Sequence, residues 1–532
     1  MFAFRLRTLT PQLRSRSLLL LCALTATTAL ITASAAGQTV PEAGRNTATE
    51  KAISSMKAER NDAVLMPNRS PLVTFRILFL TGAAYDPKGK EGLAALTASM
   101  LANGGSRTLP YDQIVAAMYP MSAFFEAQTD KEMTVFAGAT HVDNLDKFYS
   151  LIGPMLQDPG FREDDFNRLK TQAINFLDKS LRNGNDEELG KEHLYNMIYA
   201  GQPYGHHDLG TLSSLKQLTL QDIKVFYKDH FTRSNLVIGL AGGFPKEFVD
   251  KIKGDFAKLP EGKPDNAVFS YPQISVGTKV EIIQRETRST AISLGFPIPI
   301  NRANKDWVAL ALVSSFFGEH RSSNSYLYQR LREARGLNYG DYAYIEYFPR
   351  GMFRFDPNPN LARQQQIFQI WIRPVEPENG HFALRGALFE LDKLVKNGLT
   401  EEQFESTREF LSKYVNILTA SQDAQLGYEL DSKYYETGNF NQYVRGKLQQ
   451  LTSKDVNEVI KRYLGSDKMR VAIVTKDADG LRDAIVSNKP SPITYNSPKP
   501  KDLMDEDKLI ESFKINVKAD DVVVVPVSKV FE

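Results

Sequence analysis

The chain has 532 residues, which is too many for a single hydrophobic core, so two or more domains are expected. Apolar residues make up 42% of the chain and charged residues 24%, as in ordinary soluble globular proteins. The net charge of +2 gives no electrostatic reason to expect a nucleic-acid partner.

Residues 1–36 have the pattern of a secretory signal peptide. Four arginines precede the apolar run Leu18–Ala33, and Ala33-Ser34-Ala35 offers a small-residue cleavage site. A secreted, periplasmic location is therefore predicted. An uncleaved membrane anchor is the alternative, because the apolar run approaches spanning length, and a mitochondrial presequence also remains open. The only cysteine, Cys22, lies inside this segment, so the mature chain is expected to form neither a disulfide nor a thiolate metal site.

The next elements alternate between strand and helix. Residues 37–62 are polar and are predicted to be a disordered lead-in. Leu72–Leu80 is apolar and strand-like, and it leads through a polar turn into a helix that Asn103-Gly104-Gly105 ends. Phe124–Ala139 alternates as one or two strands.

Two long amphipathic helices are predicted at Arg162–Arg182 and Glu187–Ala200. On the second of these, Glu192 and His193 are assigned to the solvated surface. The sequence then repeats itself, since Leu218–Leu240 and Leu451–Val474 share a threonine-capped helix followed by a strand.

The repeat predicts two α/β domains of similar build. The first is placed at residues 63–257 and the second at 284–480, with the proline-containing segment 258–283 as the linker. Residues 481–532 are interpreted as a second linker and a C-terminal strand, Asp521–Phe531. We expect this strand to pair back onto a sheet edge, because exposed it would be an aggregation hazard.

The spacing of one motif points to a known family. Residues Gly82–Gly105 read G-x-x-x-D, then G-L-A-x-x-x-x-x-M-L-x-x-G, and further matches follow in order at Ala127–Phe136, Tyr204–Thr211 and Leu331–Tyr339. This pattern resembles the insulinase/pitrilysin-type zinc metallopeptidases, which include the mitochondrial processing peptidase subunits. The resemblance implies an α+β fold of two homologous α/β-sandwich domains of the processing-peptidase type, with a short C-terminal strand extension.

The chain departs from the family at the residues that bind zinc. There the helix carries H-x-x-E-H, two histidine ligands and a glutamate base, and these positions fall on Ala95, Ala98 and Ser99. The family's distal glutamate falls within 175–178, where Asp178 is the only acid. The resemblance therefore implies that this chain binds no metal or other cofactor and is inactive alone, with zinc expected on a partner subunit.

Two other family features are present. Arg332 and Tyr339 match an Arg/Tyr pair of the C-terminal domain, which the resemblance implies contacts the substrate and the transition state in trans. An exposed arginine and a packed tyrosine without function are the alternative. By the same resemblance, an extended peptide would add as a strand at the segment Phe124, Phe125, Glu126 and Ala127, which is otherwise an interior strand.

Three further groups are weighed against simpler interpretations. His206-His207-Asp208 looks like a ligand cluster but lies in a glycine-flanked turn, which favours a structural role. Glu319-His320 is assigned to a helix end rather than to a ligand set. Aromatic side chains at strand spacing line either a peptide cavity or the core, and they are Tyr342, Tyr344, Tyr347 and Phe348.

The sequence therefore predicts the non-catalytic subunit of a heterodimeric zinc metallopeptidase that processes peptides. The partner would be a related subunit that bears H-x-x-E-H, the ligands would be unfolded peptides, and membrane contact would arise only if the signal stays uncleaved. A peptide-binding or structural scaffold with no role in hydrolysis is the second hypothesis. An independent hydrolase with an unrecognised site is the third.

Overall fold

Two β-sheets, each covered by helices, form the framework of the chain. The computed structural model describes residues 63–532, so the predicted signal peptide (1–36) and lead-in (37–62) lie outside the described residues. Within residues 63–532, no helix combines the length and hydropathy that crossing a membrane requires.

The two sheets have the same strand order. The first sheet contains β1 (Ala63–Pro67), β2 (Leu72–Phe79), β3 (Phe124–Thr129), β4 (Thr134–His141) and β5 (Leu236–Gly242). The second sheet contains β6 (Thr278–Gln284), β7 (Thr290–Ile298), β8 (Asp341–Tyr344), β9 (Gln366–Val375), β10 (Arg470–Thr475) and β11 (Val517–Pro526). Their orders are β1-β5-β2-β4-β3 and β11-β6-β10-β7-β9-β8, so the second sheet repeats the first and adds β11. The predicted pair of homologous domains is confirmed.

The helices follow the same division into halves. The first half has α1 (Leu93–Asn103), α2 (Tyr111–Met118), α3 (Leu145–Gln157), α4 (Glu163–Asn175), α5 (Asp186–Ile198), α6 (Leu212–Gln217), α7 (Leu220–His230) and α8 (Lys246–Phe256). The second half has α9 (Trp307–Gly318), α10 (Gly380–Asn397), α11 (Glu401–Leu418), α12 (Gln422–Tyr435), α13 (Phe440–Gln450), α14 (Ser453–Tyr463), α15 (Ala478–Val486) and α16 (Lys501–Glu511). Two π-helical segments also occur, at Phe176–Arg182 and Tyr328–Glu333.

The repeated helices α7 and α14 begin with the same hydrogen bonds. Thr219 accepts from the backbone N–H of Asp222, whose carboxylate accepts from the N–H of Thr219. Thr452 and Asp455 reproduce both bonds at α14. These capping boxes satisfy backbone donors that a helix start leaves free, so the local sequence fixes where both helices begin.

One helix from each half packs on the sheet of the other half. Helix α5 packs on β7 and β10 of the second sheet, and α12 packs on β5, β1 and β2 of the first. Leu426 and Leu430 of α12 lie in an apolar cluster with Leu78 and Val237 of the first sheet. A Cβ atom at Gly239 would lie 3.0 Å from Leu430, so the glycine permits this close approach.

The prediction that a C-terminal strand pairs onto a sheet edge is confirmed. Residues Val522–Pro526 of β11 pair in parallel with β6, outside the repeated five strands. The chain then returns to the first half, where Val530 and Phe531 are buried in the apolar core. Backbone N–H groups of Leu212 and Ser213 donate to Phe531 and Glu532, so the chain end caps α6. We call residues 527–532 the C-terminal tail.

The structure shifts three predicted boundaries. Strand β6 begins at Thr278, inside the segment 258–283 assigned to the linker. Helix α16 lies within 481–532, where the proline and lysine content had predicted a linker, and Pro500 stands at its N-cap. The C-terminal strand ends at Pro526 instead of continuing to Phe531. Proline is compatible with the start of a helix, where its missing N–H has no intrahelical partner to lose, so the proline-rich sequence does not exclude helix α16.

Candidate functional site

Helix α1 forms at the position of the family's zinc-binding helix, but it carries no metal-binding side chains. The carboxylate of Asp86 accepts from the backbone N–H groups of Gly92 (2.6 Å) and Ala94 (2.7 Å), which fixes the start of the helix. Ala95 and Ala98 are 5% and 1% exposed, and α1 packs against β3, α4 and α7. Methyl groups have no lone pairs, and the neutral hydroxyl of Ser99 is a poor zinc ligand. These residues do not fit a zinc ion.

Asp178, at the position of the family's distal glutamate, already contacts other charged residues. Asp178 lies in the π-helical segment Phe176–Arg182. Its carboxylate accepts from Arg182 (2.8 Å) and pairs with Lys179 (2.5 Å), and the hydrogen bond from Lys179 is the main reason that its pKa lies below the ordinary value. Within residues 63–532, no three histidine, cysteine, aspartate or glutamate side chains come together as metal ligands.

Strand β3 is the edge of the first sheet, as the resemblance implied. It pairs only with β4 among the described strands, and Phe124 is 47% exposed while Phe125 is buried. Glu126 is exposed and Ala127 is half-buried. The far end of β3 is covered, because the amide of Gln128 donates to two carbonyls of the second half. The part of the edge beside Phe124–Ala127 is therefore the part open to an added strand.

Arg332 and Tyr339 both reach the surface of the second half. Arg332 lies in the π-helical segment Tyr328–Glu333, a geometry that is frequent at functional sites. It pairs with Glu333, its guanidinium lies 4.8 Å from the centre of the Tyr328 ring, and its side chain is 34% exposed. Tyr339 is 76% exposed, so it is not the packed tyrosine of the alternative. Among the described contacts, none joins either residue to α1.

A buried polar network between the halves was missed from the sequence. It starts at Asp130-Lys131-Glu132, the turn between β3 and β4. Asp130 receives two hydrogen bonds from Arg363, one of them 2.8 Å long, and both side chains are at most 1% exposed. Glu132 accepts from the backbone of Gln364 (2.5 Å). Three consecutive charged residues between strands ordinarily form an exposed turn, and only their position beneath the second half makes them interior.

The histidine turn belongs to the same network. Lys131 pairs with Asp208 (2.6 Å) and donates to the carbonyl of His206 (2.5 Å). Burial lowers the pKa of both His206 and His207 to about 4, so both rings are neutral at neutral pH. His207 accepts from the backbone N–H of Leu209 (3.0 Å). These contacts agree with the structural role that the sequence favoured for this turn.

The assignment of Glu192 and His193 to the solvated surface was wrong. Glu192 is 8% exposed and accepts from the hydroxyl of Tyr347 (2.7 Å), and burial raises its pKa to about 7. His193 contacts Glu281 of β6 at 2.7 Å. Helix α5 lies on the second sheet, so the face that looked polar and exposed is an interface within the chain.

Two family models match the chain one after the other. The model described as insulinase (peptidase family M16) matches residues 63–212. The model described as peptidase M16 inactive domain matches residues 217–411. Together they run from β1 into α11 and leave β10 and β11 of the second sheet outside the match.

Curated relatives include both peptidase-like and non-peptidase proteins. An uncharacterized zinc protease of Rickettsia bellii is 26% identical over 283 residues, which are 53% of this chain and 66% of that relative. The chain thus spans slightly less than two thirds of that protein. The non-peptidase homolog YmxG of Helicobacter pylori is 21% identical over 419 residues, which are 76% of this chain and 89% of YmxG.

Solved structures share the fold. A peptidase M16 inactive domain from Pseudomonas fluorescens aligns with a TM-score of 0.67 at 23% identity, over 78% of this chain and 95% of that one. The periplasmic protease PqqL of Escherichia coli aligns with a TM-score of 0.61 at 14% identity, over 86% of this chain but 50% of PqqL. At these identities the likeness concerns the fold alone.

Proposed function

The chain belongs to the insulinase (peptidase M16) family, and on that premise we propose that it is the non-catalytic subunit of a two-chain zinc peptidase that processes peptides. One observation carries the proposal. Helix α1 is present, but Ala95, Ala98 and Ser99 stand at the positions where the family has its zinc ligands and base. Arg332 and Tyr339, in contrast, are both accessible at the surface. This chain would supply a cavity wall and polar contacts, and a related subunit bearing H-x-x-E-H would supply zinc and the base.

The proposed substrate contacts follow from the chemistry of the accessible groups. A guanidinium and a phenol are hydrogen-bond donors suited to a peptide carbonyl and to the oxyanion that develops on it. Backbone groups beside Phe124–Ala127 would add an extended, unfolded peptide as a further strand of the first sheet. Sequence selectivity would then come from side-chain pockets of both subunits.

The length of the chain supports a complex of two chains of similar build. This chain aligns with 95% of the first half of PqqL and with 50% of the whole PqqL chain. A second chain of similar build would therefore bring the pair to about the length of PqqL. We place the complex in the periplasm or outside the cell, because residues 1–36 have the pattern of a signal peptide, or at a membrane if that segment stays uncleaved.

The deciding experiment measures peptide hydrolysis by the assembled complex. The tagged chain is purified with its co-purifying H-x-x-E-H subunit, and kcat is compared for wild type, Arg332→Ala and Tyr339→Phe. Loss of one oxyanion donor is expected to lower kcat by about 10²-fold. The chain alone should cleave no peptide.

Arg408→Ala is the matched control for Arg332→Ala. The Arg408 side chain is 33% exposed, pairs with Glu405 and lies 5.2 Å from the centre of the Phe404 ring, so its surroundings resemble those of Arg332. Its removal should leave kcat unchanged. Equal kcat values for the two variants would contradict a catalytic contribution and would favour the scaffold hypothesis.

A further inference from the structure

A cavity of about 160 Å³ lies in the second half, beside the helix that corresponds to α1. Helix α9 packs on the edge strand β8 as α1 packs on the edge strand β3, and β8 occupies in its sheet the position of β3. Ala311, Ser314 and Ser315 of α9 line the cavity, together with Ala343 and Tyr344 at the end of β8. The cavity therefore adjoins the elements of the second half that correspond to α1 and β3.

Several aromatic side chains form part of the cavity wall. They include Trp307, Phe348, Phe355, Tyr414 and Phe440. Phe355 is 68% exposed, so the cavity opens to solvent beside that ring. Arg302 already lies over the rings of Trp307 (5.7 Å) and Phe440 (5.1 Å), so these rings offer a ligand apolar surface rather than a free face for a cation.

The charges that line the cavity do not balance. Arg302 is its only arginine or lysine, and that guanidinium is already paired with Glu346 (2.9 Å) and Asp431 (3.5 Å). Glu319 also lines the cavity and forms no ion pair within residues 63–532, and burial raises its pKa above the ordinary value. Asp356 lies close enough to raise it further. Glu319 has no ion-pair partner in this part of the chain, and a cation bound beside it would favour the charged carboxylate again.

The histidine beside Glu319 does not supply that cation. Burial lowers the pKa of His320 to about 4, so the ring is neutral at neutral pH. The ring contacts the hydroxyl of Tyr344 and the carbonyl of Arg354, both at 2.8 Å, and it therefore has no free nitrogen.

We propose that this cavity binds an organic cation, namely a ring-sized apolar body that carries one ammonium group beside Glu319. Cavities of about 150 Å³ accept a benzene ring, so the volume suits a phenyl group. The cation would come either from a free arylalkylamine or from the N-terminus of a peptide whose first residue is aromatic. The site is separate from Arg332 and Tyr339, neither of which lines the cavity, and it needs no second subunit.

The test uses the full chain and the fluorescence of Trp307. The chain has two tryptophans, so the Trp371→Phe variant leaves Trp307 as the only reporter. Phenethylamine is expected to change its emission saturably, and 2-phenylethanol, which has the same ring without charge, should bind at least about tenfold more weakly. Equal affinity for the amine and the alcohol, or no saturable change with the amine, would overturn the proposal.

Two substitutions locate the binding. Glu319→Gln removes the charge and should weaken phenethylamine binding about tenfold, whereas Glu458→Gln, an exposed acid without an ion pair among the described residues, should not. Ala311→Leu fills the cavity from α9 and should abolish binding even if Glu319→Gln proves unstable. Unchanged affinity in a folded Ala311→Leu variant would show that the amine binds elsewhere.

Two peptides identify the source of the cation. Phenylalanyl-alanine amide presents the same ring and ammonium group as part of a peptide, and its N-acetylated form lacks the charge. Tighter binding of the free dipeptide than of phenethylamine would assign the cavity to peptide N-termini, and weaker binding would assign it to free amines. Equal binding of the dipeptide and its acetylated form would contradict recognition of a cation.

Discussion

At the scale of single residues, the contact between Asp130 and Arg363 joins the two halves through the interior. Both side chains are essentially inaccessible to water, and the guanidinium also lies 3.8 Å from the centre of the Tyr347 ring. A buried pair of this kind gains little over apolar side chains, but the loss of one partner leaves an uncompensated charge.

We therefore predict that Arg363→Met lowers the free energy of unfolding by about 3–5 kcal/mol. Urea denaturation followed by circular dichroism measures the loss. The double variant Asp130→Asn/Arg363→Met should recover part of it, because no charge then remains unpaired. A loss below about 1 kcal/mol in the single variant would show that water or another cation compensates Asp130.

A second residue-scale prediction concerns pH. The pKa of His207 is about 4 in the folded chain, lowered mainly by burial, against about 6.5 when unfolded. Between these values the unfolded chain binds the extra proton, so stability is lost as pH falls from about 6.5 to 4. His207→Asn removes this titrating group. As the pH falls from about 6.5 to 4, the free energy of unfolding of the wild type should therefore decrease by roughly 2–3 kcal/mol more than that of the variant. Parallel pH curves for the two proteins would contradict the prediction.

Much of the candidate site could be identified from residue identity. The spacing of the motif located Ala95, Ala98 and Ser99, and the absence of donor atoms there is a fact of the sequence. Exposure could not be inferred, because Arg332 and Tyr339 depend on how the second half packs around them. The Asp130–Arg363 pair joins positions 233 residues apart, and no local pattern links them.

At the scale of elements, capping residues and apolar periodicity predicted the repeated helices and the strands that follow them. Thr219 and Thr452 begin helices where the sequence indicated. The exchange of α5 and α12 between the sheets was not predictable, because amphipathic spacing shows that a helix has an apolar face but not which sheet covers it. Glu192 was misassigned for this reason.

The C-terminal tail is an element whose removal tests its contribution. Truncation after Pro526 exposes the pocket filled by Val530 and Phe531, which are 2% and 5% exposed, and deletes the backbone bonds to α6. We expect the free energy of unfolding to fall by about 2–4 kcal/mol, as for the loss of two buried apolar side chains. Phe531→Ala should reproduce most of the loss in urea denaturation. Val523→Ala, on a half-exposed side chain of β11, should change little, and an equal effect there would contradict a specific role for the tail.

At the scale of the whole molecule, the exchanged helices make the halves mutually dependent. A chain of residues 63–262 would lack α12 over its first sheet, and residues 263–532 would lack α5 over the second. Each fragment alone would expose an apolar sheet face, which favours aggregation.

We predict that neither fragment is soluble alone and that co-expression of both restores a folded pair. Size-exclusion chromatography and thermal unfolding report the outcome. A protease site inserted between residues 263 and 277, in the irregular segment before β6, is the control, since cleavage after folding should leave the two parts associated. Cooperative unfolding of either isolated fragment would show that the exchanged helix is dispensable.

The helix exchange also restricts how the chain can move. A hinge motion that separated the halves would pull α5 and α12 away from the sheets they cover and would break the contact between Asp130 and Arg363. Such opening would expose two cores at once, whereas domain closure in other proteins slides or rotates preformed surfaces. We therefore expect the two halves to move together rather than about a hinge. A ligand can then enter only through loop motion, as at the segment around Phe355, or through a change in how this chain sits against another chain.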